Sequence, residues 1–138
     1  MQKSKIMIFM DIASFIYNFC KENKIKNICE LGIGYYFDVA LFLNKEFNLL
    51  VVDRNEDCIK KALSHGLNGK IDDIFSPNLN IYEDVELFYS IRMPYDLQIY
   101  ALELAKKLSV PFILKPLSNE APHKSFKLIK NNIYLFMP

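Results

Sequence analysis

At 138 residues, 51% of them apolar, the chain is long enough to bury one sizeable core and short for two, and a single domain spanning 1–138 is expected. A formal net charge of +1 supplies no global field for nucleic acid or an anionic membrane. Nucleic acid as an obligatory partner is therefore disfavoured, with a local basic patch, and so an RNA substrate, left open. Cys20, Cys29 and Cys58 are odd in number, far apart and flanked by apolar residues, while His65 and His123 stand alone. That spacing offers no zinc site and no Cys–His pair, so no metal is expected, and the thiols read as buried and reduced in a cytoplasmic protein.

Residues 1–24 begin like a targeting segment, Lys3 and Lys5 preceding an apolar run, but Asp11 interrupts the run and no span approaches the ~18 residues a bilayer requires. Ile12, Phe15, Ile16 and Phe19 recur at helical spacing, predicting an amphipathic helix with one apolar stripe. Asp11 either caps that helix or lies inside one that begins nearer Ser4.

The most informative stretch runs from Lys26 to Arg54. Asn27–Leu31 reads as an apolar strand, Gly32 and Gly34 as a turn, 37–46 as a helix, and 47–52 as a second apolar strand ending at Asp53. Strand, glycine turn, helix, strand and acid in that order form half of a nucleotide-binding α/β unit. The dinucleotide pattern GxGxxG is incomplete, because Phe37 stands at the third glycine. Asp38 also places a carboxylate in the first helical turn, where a pyrophosphate would have to sit. A cofactor carrying sulfonium and ammonium but no phosphate avoids that repulsion. The alternative for Asp38 is a solvated complement to the helix dipole.

Asp53 follows Gly34 by nineteen residues, at the strand end where adenosine-binding folds put an acid on the ribose hydroxyls. Its alternative role is to cap the next helix. That helix is announced by Asn55 as cap, Glu56 and Asp57 in the first turn, and Cys58, Ile59, Ala62 and Leu63 on one face, with Gly66 ending it. Residues 69–75 read as a third strand and loop, in which Asp72 and Asp73 fit plain turn chemistry before Ser76-Pro77-Asn78.

Residues 76–83 allow one helical turn at most, and 85–90 read as a fourth strand with Ile91-Arg92-Met93-Pro94-Tyr95 beyond it. Lysine outnumbers arginine fifteen to two, so Arg92 and Arg54 are notable as forked donors in a chain whose default cation is lysine. Residues 96–108 carry the strongest helical stripe, and 110–114 the fifth strand, closed by Lys115-Pro116. If the fourth and fifth strands are neighbours, Arg92 and Lys115 share one rim of the crevice; a solvated Lys115 is the plainer alternative. The two prolines of 116–123 leave room for a single helical turn at most. Residues 125–129 and 133–137 predict a closing hairpin around Asn131-Asn132.

Glu30-Leu31-Gly32-Ile33-Gly34 resembles the first motif of class I S-adenosylmethionine-dependent methyltransferases. Together, ELGIGYYFDVA, VVDRN, DDIF, YSIRMP and KPLSNE resemble the uncharacterised archaeal protein family numbered 0146. The resemblance implies an α/β, Rossmann-like fold: a mostly parallel sheet with helices on both faces, shortened relative to full-length methyltransferases, and a closing antiparallel hairpin. It further implies S-adenosylmethionine as cofactor, held by Glu30, Gly32, Gly34, Asp53 and Asp72 or Asp73, the last two lying where methyltransferases often place an acid near the adenine amine, the alternative to turn chemistry. Amino-methylating enzymes carry an Asp- or Asn-Pro-Pro-aromatic motif after the fourth strand, where this chain has Arg92-Met93-Pro94-Tyr95. A guanidinium accepts no hydrogen bond, so the departure points away from amine methylation and towards an anionic acceptor at Arg92 and Lys115. Two readings follow: a methyltransferase acting on an anionic small molecule or RNA, or a non-catalytic nucleoside-binding or scaffolding module that could self-associate. A nicotinamide oxidoreductase ranks third.

Overall fold

The computed structural model describes residues 2–117 and 122–138, with side chains from Asp11 onward. In chain order the elements are helix α1 (Gln2–Glu22), strand β1 (Asn27–Leu31), α2 (Asp38–Leu43), β2 (Asn48–Asp53), α3 (Glu56–Ser64) and β3 (Asn68–Ile71). A 3-10 turn at Leu79–Tyr82 follows, then β4 (Leu87–Met93), α4 (Tyr95–Leu108), β5 (Phe112–Pro116), β6 (Lys127–Lys130) and β7 (Ile133–Phe136). Among the described residues the seven strands form one sheet in the order β3-β2-β1-β4-β5-β7-β6. The first five run parallel, and β7 runs antiparallel to both β5 and β6. The α/β class, the mostly parallel sheet and the antiparallel closing hairpin all stand as the sequence predicts.

Two apolar layers sandwich the sheet. On one face Ile12, Ala13 and Ile16 of α1, Val39, Ala40 and Leu43 of α2, and Ile59 and Ala62 of α3 pack on Ile28, Val51, Tyr89 and Ile113. On the other, Ala101, Leu102, Leu104 and Ala105 of α4 join Tyr82 and Phe126 over Leu31, Val52, Phe88 and Phe112. Alternate side chains of each strand feed opposite layers, which is why the central strands are apolar almost throughout.

Several boundaries differ from expectation. Asp11 does lie inside α1, the second of its two expected placements, with the helix beginning at Gln2. Only six residues of 37–46 are α-helical, because the chain turns at 44–46 to enter β2. β3 ends at Ile71, and the carboxylates of Asp72 and Asp73 then bind backbone N–H groups of the loop that follows. β4 is longer than predicted and contains Arg92; pairing with β5 down to Pro116 overrides the turn-like look of IRMP. The segment 116–123 includes 118–121, which lie outside the described residues, as does the second half, 118–120, of the KPLSNE motif.

Candidate functional site

β1 pairs with β2 on one side and β4 on the other, so the chain leaves the middle of the sheet in opposite directions there. In a doubly wound sheet that switch opens a crevice at the strand carboxyl ends. The glycine turn spans it. Gly32 has φ +70° and Gly34 φ +58°, the left-handed region where side chains are strained. A Cβ at Gly34 would meet nothing within 4 Å, so the requirement is conformational and leaves the space above the turn open to a ligand. The turn is stitched to β2, the Gly32 and Ile33 N–H groups both donating to Val52 O, at 2.8 and 3.1 Å.

Two clefts meet at Gly32. The first is lined by Val52, Asp53, Arg54, Asp72, Asp73, Ile74, Phe75, Met93 and Leu97. It brings together the acid that ends β2 and the two that follow β3, all nominated by the sequence. It also adds Met93 and Leu97, an apolar wall from the β4–α4 junction that sequence reasoning passed over. Gln98, buried, holds this junction by donating from Nε2 to Met93 O at 3.1 Å.

The acids of this cleft have other duties as well. Asp53 accepts the Gly34 N–H through Oδ2 and the Asn55 N–H through Oδ1, both at 2.9 Å, so it clasps the glycine turn to the start of α3. Each carboxylate oxygen has a second lone pair, and the group still lines the cleft, so ribose binding and clasping are compatible. Asp72 is committed to structure: it accepts the buried Tyr82 hydroxyl at 2.5 Å and the Asn78 N–H at 3.2 and 3.3 Å. Burial, then this bond to Asp72, push the Tyr82 hydroxyl far up. Asp73 commits Oδ1 to the Phe75 N–H at 2.9 Å, a short turn of the kind aspartate favours. Of the adjacent pair, Asp73 has the less committed carboxylate.

The second cleft is lined by Glu30, Gly32, Ile33, Gly34, Tyr35, Tyr36, Ile91 and Arg92. Glu30 is 2% exposed and its Oε1 has no hydrogen-bond partner. Burial pushes its carboxyl up to about 8, with the facing Tyr89 hydroxyl opposing. Tyr89 lies opposite Glu30 in the β1–β4 register, but its hydroxyl also lacks a strict hydrogen bond, so the opposition is weak. A buried acid with an orphaned oxygen is costly unless a partner completes it, and Glu30 lines this cleft.

Neither tyrosine of the turn fills the first cleft. Tyr35 is drawn towards α3, donating to Asp57 Oδ2 at 2.9 Å with Lys61 4.9 Å from its ring centre. Tyr36 donates to Asp38 Oδ2 at 3.2 Å and carries the Arg92 guanidinium 5.2 Å from its ring centre. Lys115 sits on β5 opposite Ile91, so the two predicted cations are on neighbouring strands. They do not share a cleft: Arg92 faces the glycine turn, and Lys115 lines neither space.

Comparison with known proteins agrees with this fold. The family described as "Uncharacterised protein family (UPF0146)" matches residues 12–137. A UPF0146 protein of Methanocaldococcus jannaschii is 50% identical over 117 residues, covering 85% of each chain. One of Pyrococcus furiosus is 39% identical, covering 80% of this chain and 87% of the relative. Among solved structures, the N-terminal domain of EvdMO1 with SAH bound aligns with TM-score 0.60 at 15% identity, over 91% of this chain and 65% of that one. The sugar N-methyltransferase KedS8 of a Streptoalloteichus species aligns with TM-score 0.61 at 9% identity, over 89% of this chain and 57% of that one. An S-adenosylmethionine-dependent methyltransferase of Clostridium acetobutylicum aligns with TM-score 0.55 at 22% identity, over 74% of this chain and 48% of that one. The chain thus spans about half to two thirds of these proteins, and at such identities what is shared is the fold.

Proposed function

The chain belongs to the uncharacterised protein family UPF0146, and from its fold and crevice we propose that it binds S-adenosylmethionine, or a related adenosine ligand, across the glycine turn. The observation that carries this is the meeting of two clefts at Gly32, one bearing Asp53 and Asp73, the other the orphaned carboxyl of Glu30. The adenosine lies in the first cleft against Met93 and Leu97, with Asp53 on the ribose and Asp73 towards the base amine. The amino-acid end reaches Glu30. Asp38, at the start of α2 beside the turn, disfavours a pyrophosphate there and so a dinucleotide.

When bound, S-adenosylmethionine supplies an electrophilic methyl on a sulfonium sulfur, which an acceptor lone pair takes as the carbon–sulfur bond breaks. The protein's part is alignment, which suffices for much of such a rate enhancement. The acceptor approaches from the β4–β5 rim, where Lys115 favours an anionic small molecule or RNA phosphate. A non-catalytic nucleoside-binding module is the second reading. It is favoured by the thin cover of the crevice, whose β3–β4 connection has only the four-residue turn Leu79–Tyr82.

Titration of the 15N-labelled protein with S-adenosylmethionine, S-adenosylhomocysteine and NAD tests the proposal. Saturable amide shifts at Gly32 and Gly34 with the first two alone, weakened in Asp53→Ala, are expected. No shift at those amides at millimolar ligand rejects it.

A further inference from the structure

β4 carries an irregularity at the mouth of the second cleft. Its register against β5 shifts between Ile91 and Met93, so Ile91 feeds the layer under α1 while Met93 feeds the layer under α4. Two residues apart on a regular strand would share a face. Arg92 is the extra residue of this bulge and stands at φ +63°, a left-handed conformation that β-strand side chains seldom adopt. The effect is to turn Arg92 out of the strand alternation and bring its guanidinium over Tyr36, on the rim of the cleft lined by Glu30.

A buried acid and a stacked guanidinium thus line one small cleft beside two positive-φ glycines, Gly32 and Gly34. Resting on the proposed binding of an adenosine cofactor, we infer that Arg92 holds the carboxylate of that ligand's α-amino-acid end while Glu30 takes its ammonium, so that the cleft selects a zwitterion. Arg92 is thereby a cofactor residue and not the acceptor residue expected from sequence. The guanidinium fork matches a carboxylate in two parallel bonds, a geometry lysine cannot supply. Stacking on Tyr36 preorganises it.

A second consequence concerns protons. Glu30 is held neutral near pH 7 by burial, and an ammonium binds it only as the carboxylate. The charged and titratable groups around it are Tyr89 on β4, Cys29 beside it on β1, Cys20 on α1, and Tyr36 and Arg92 at the rim. Tyr89, Cys29 and Cys20 are all raised by burial and stay protonated across the neutral range. Glu30 is therefore the group that releases a proton when the cleft fills.

Isothermal titration calorimetry with S-adenosylmethionine, decarboxylated S-adenosylmethionine and 5′-methylthioadenosine tests both parts. Wild type is expected to bind S-adenosylmethionine tenfold or more tighter than the decarboxylated form, and Arg92→Met to erase that preference while binding 5′-methylthioadenosine as wild type does. Measured in buffers of differing ionisation heat at pH 7, binding of S-adenosylmethionine should release about one proton, and Glu30→Gln none. Equal affinity for the carboxylated and decarboxylated forms, or an Arg92→Met protein that retains the preference, overturns the assignment while leaving cofactor binding intact. Binding by none of the three overturns the cofactor reading and this inference with it.

Discussion

Glu30 is a residue whose ionisation is set by the fold and not by its sequence neighbours. Its carboxyl ionises near 4.5 when solvated and only near 8 in the folded protein, so between those values the folded chain keeps a proton that the unfolded chain has lost. Stability is then fully present below the lower value, falls as pH rises through this window, and levels off above it. Thermal melts at pH 5 and pH 8 should show this fall for wild type and a flatter profile for Glu30→Gln. Arg92 carries the opposite kind of cost, one of backbone strain. Arg92→Gly is expected to be more stable than Arg92→Ala by about 1 kcal/mol in denaturant unfolding, because glycine accepts φ +63° without a Cβ penalty. Both variants should lose the preference for a carboxylated ligand, so the strain and the function would be separable. At this scale the sequence was only partly legible. Glu30, Gly32, Gly34 and Asp53 stand out by spacing, whereas the stacking of Arg92 on Tyr36 depends on a bulge that no residue type announces.

At the scale of elements, local signals were read well wherever the chain satisfies itself. Asn55 caps α3, its Oδ1 accepting the Asp57 and Cys58 N–H groups, and Asn131 and Asn132 adopt the two positive φ values of a tight hairpin. α4 ends at exposed Ser109 in a left-handed cap with φ 56°, where serine is a poor choice. Ser109→Gly should raise stability by up to about 1 kcal/mol, read from the denaturation midpoint at an unchanged slope. Strand ends were read less well, since β4 runs on to Met93 and β5 to Pro116 through hydrogen bonds supplied by each other. A strand's length is set by its partner's length, which one segment cannot reveal.

At the scale of the molecule, the sheet order puts the glycine turn, the acids at the ends of β2 and β3 and the β4 bulge around one switch point. A ligand that binds only this assembled state must stabilise it, by about 2.7 kcal/mol at a concentration one hundred times its dissociation constant. Addition of S-adenosylmethionine should therefore raise the melting temperature, and Asp53→Ala should reduce the rise, as followed by differential scanning calorimetry. The hairpin has an architectural role: β7 covers the edge of β5, whose Phe112, Ile113 and Leu114 are fully buried. Deleting residues 124–138 should expose that edge and give aggregates on size-exclusion chromatography. No helix among the described residues is long and apolar enough to cross a membrane.

Alternation of apolar segments with glycine, asparagine and acidic breakpoints, all of it short-range chemistry along the chain, was enough to determine the βα order, the glycine turn and the closing hairpin. Which residues face one another was decided only on folding. Asp72 went to Tyr82, Asp53 to the glycine turn and Arg92 to Tyr36, because each pairing joins positions whose approach is set by strand register and one bulge. Those are properties of hydrogen bonds between segments, and a sequence read one segment at a time does not contain them.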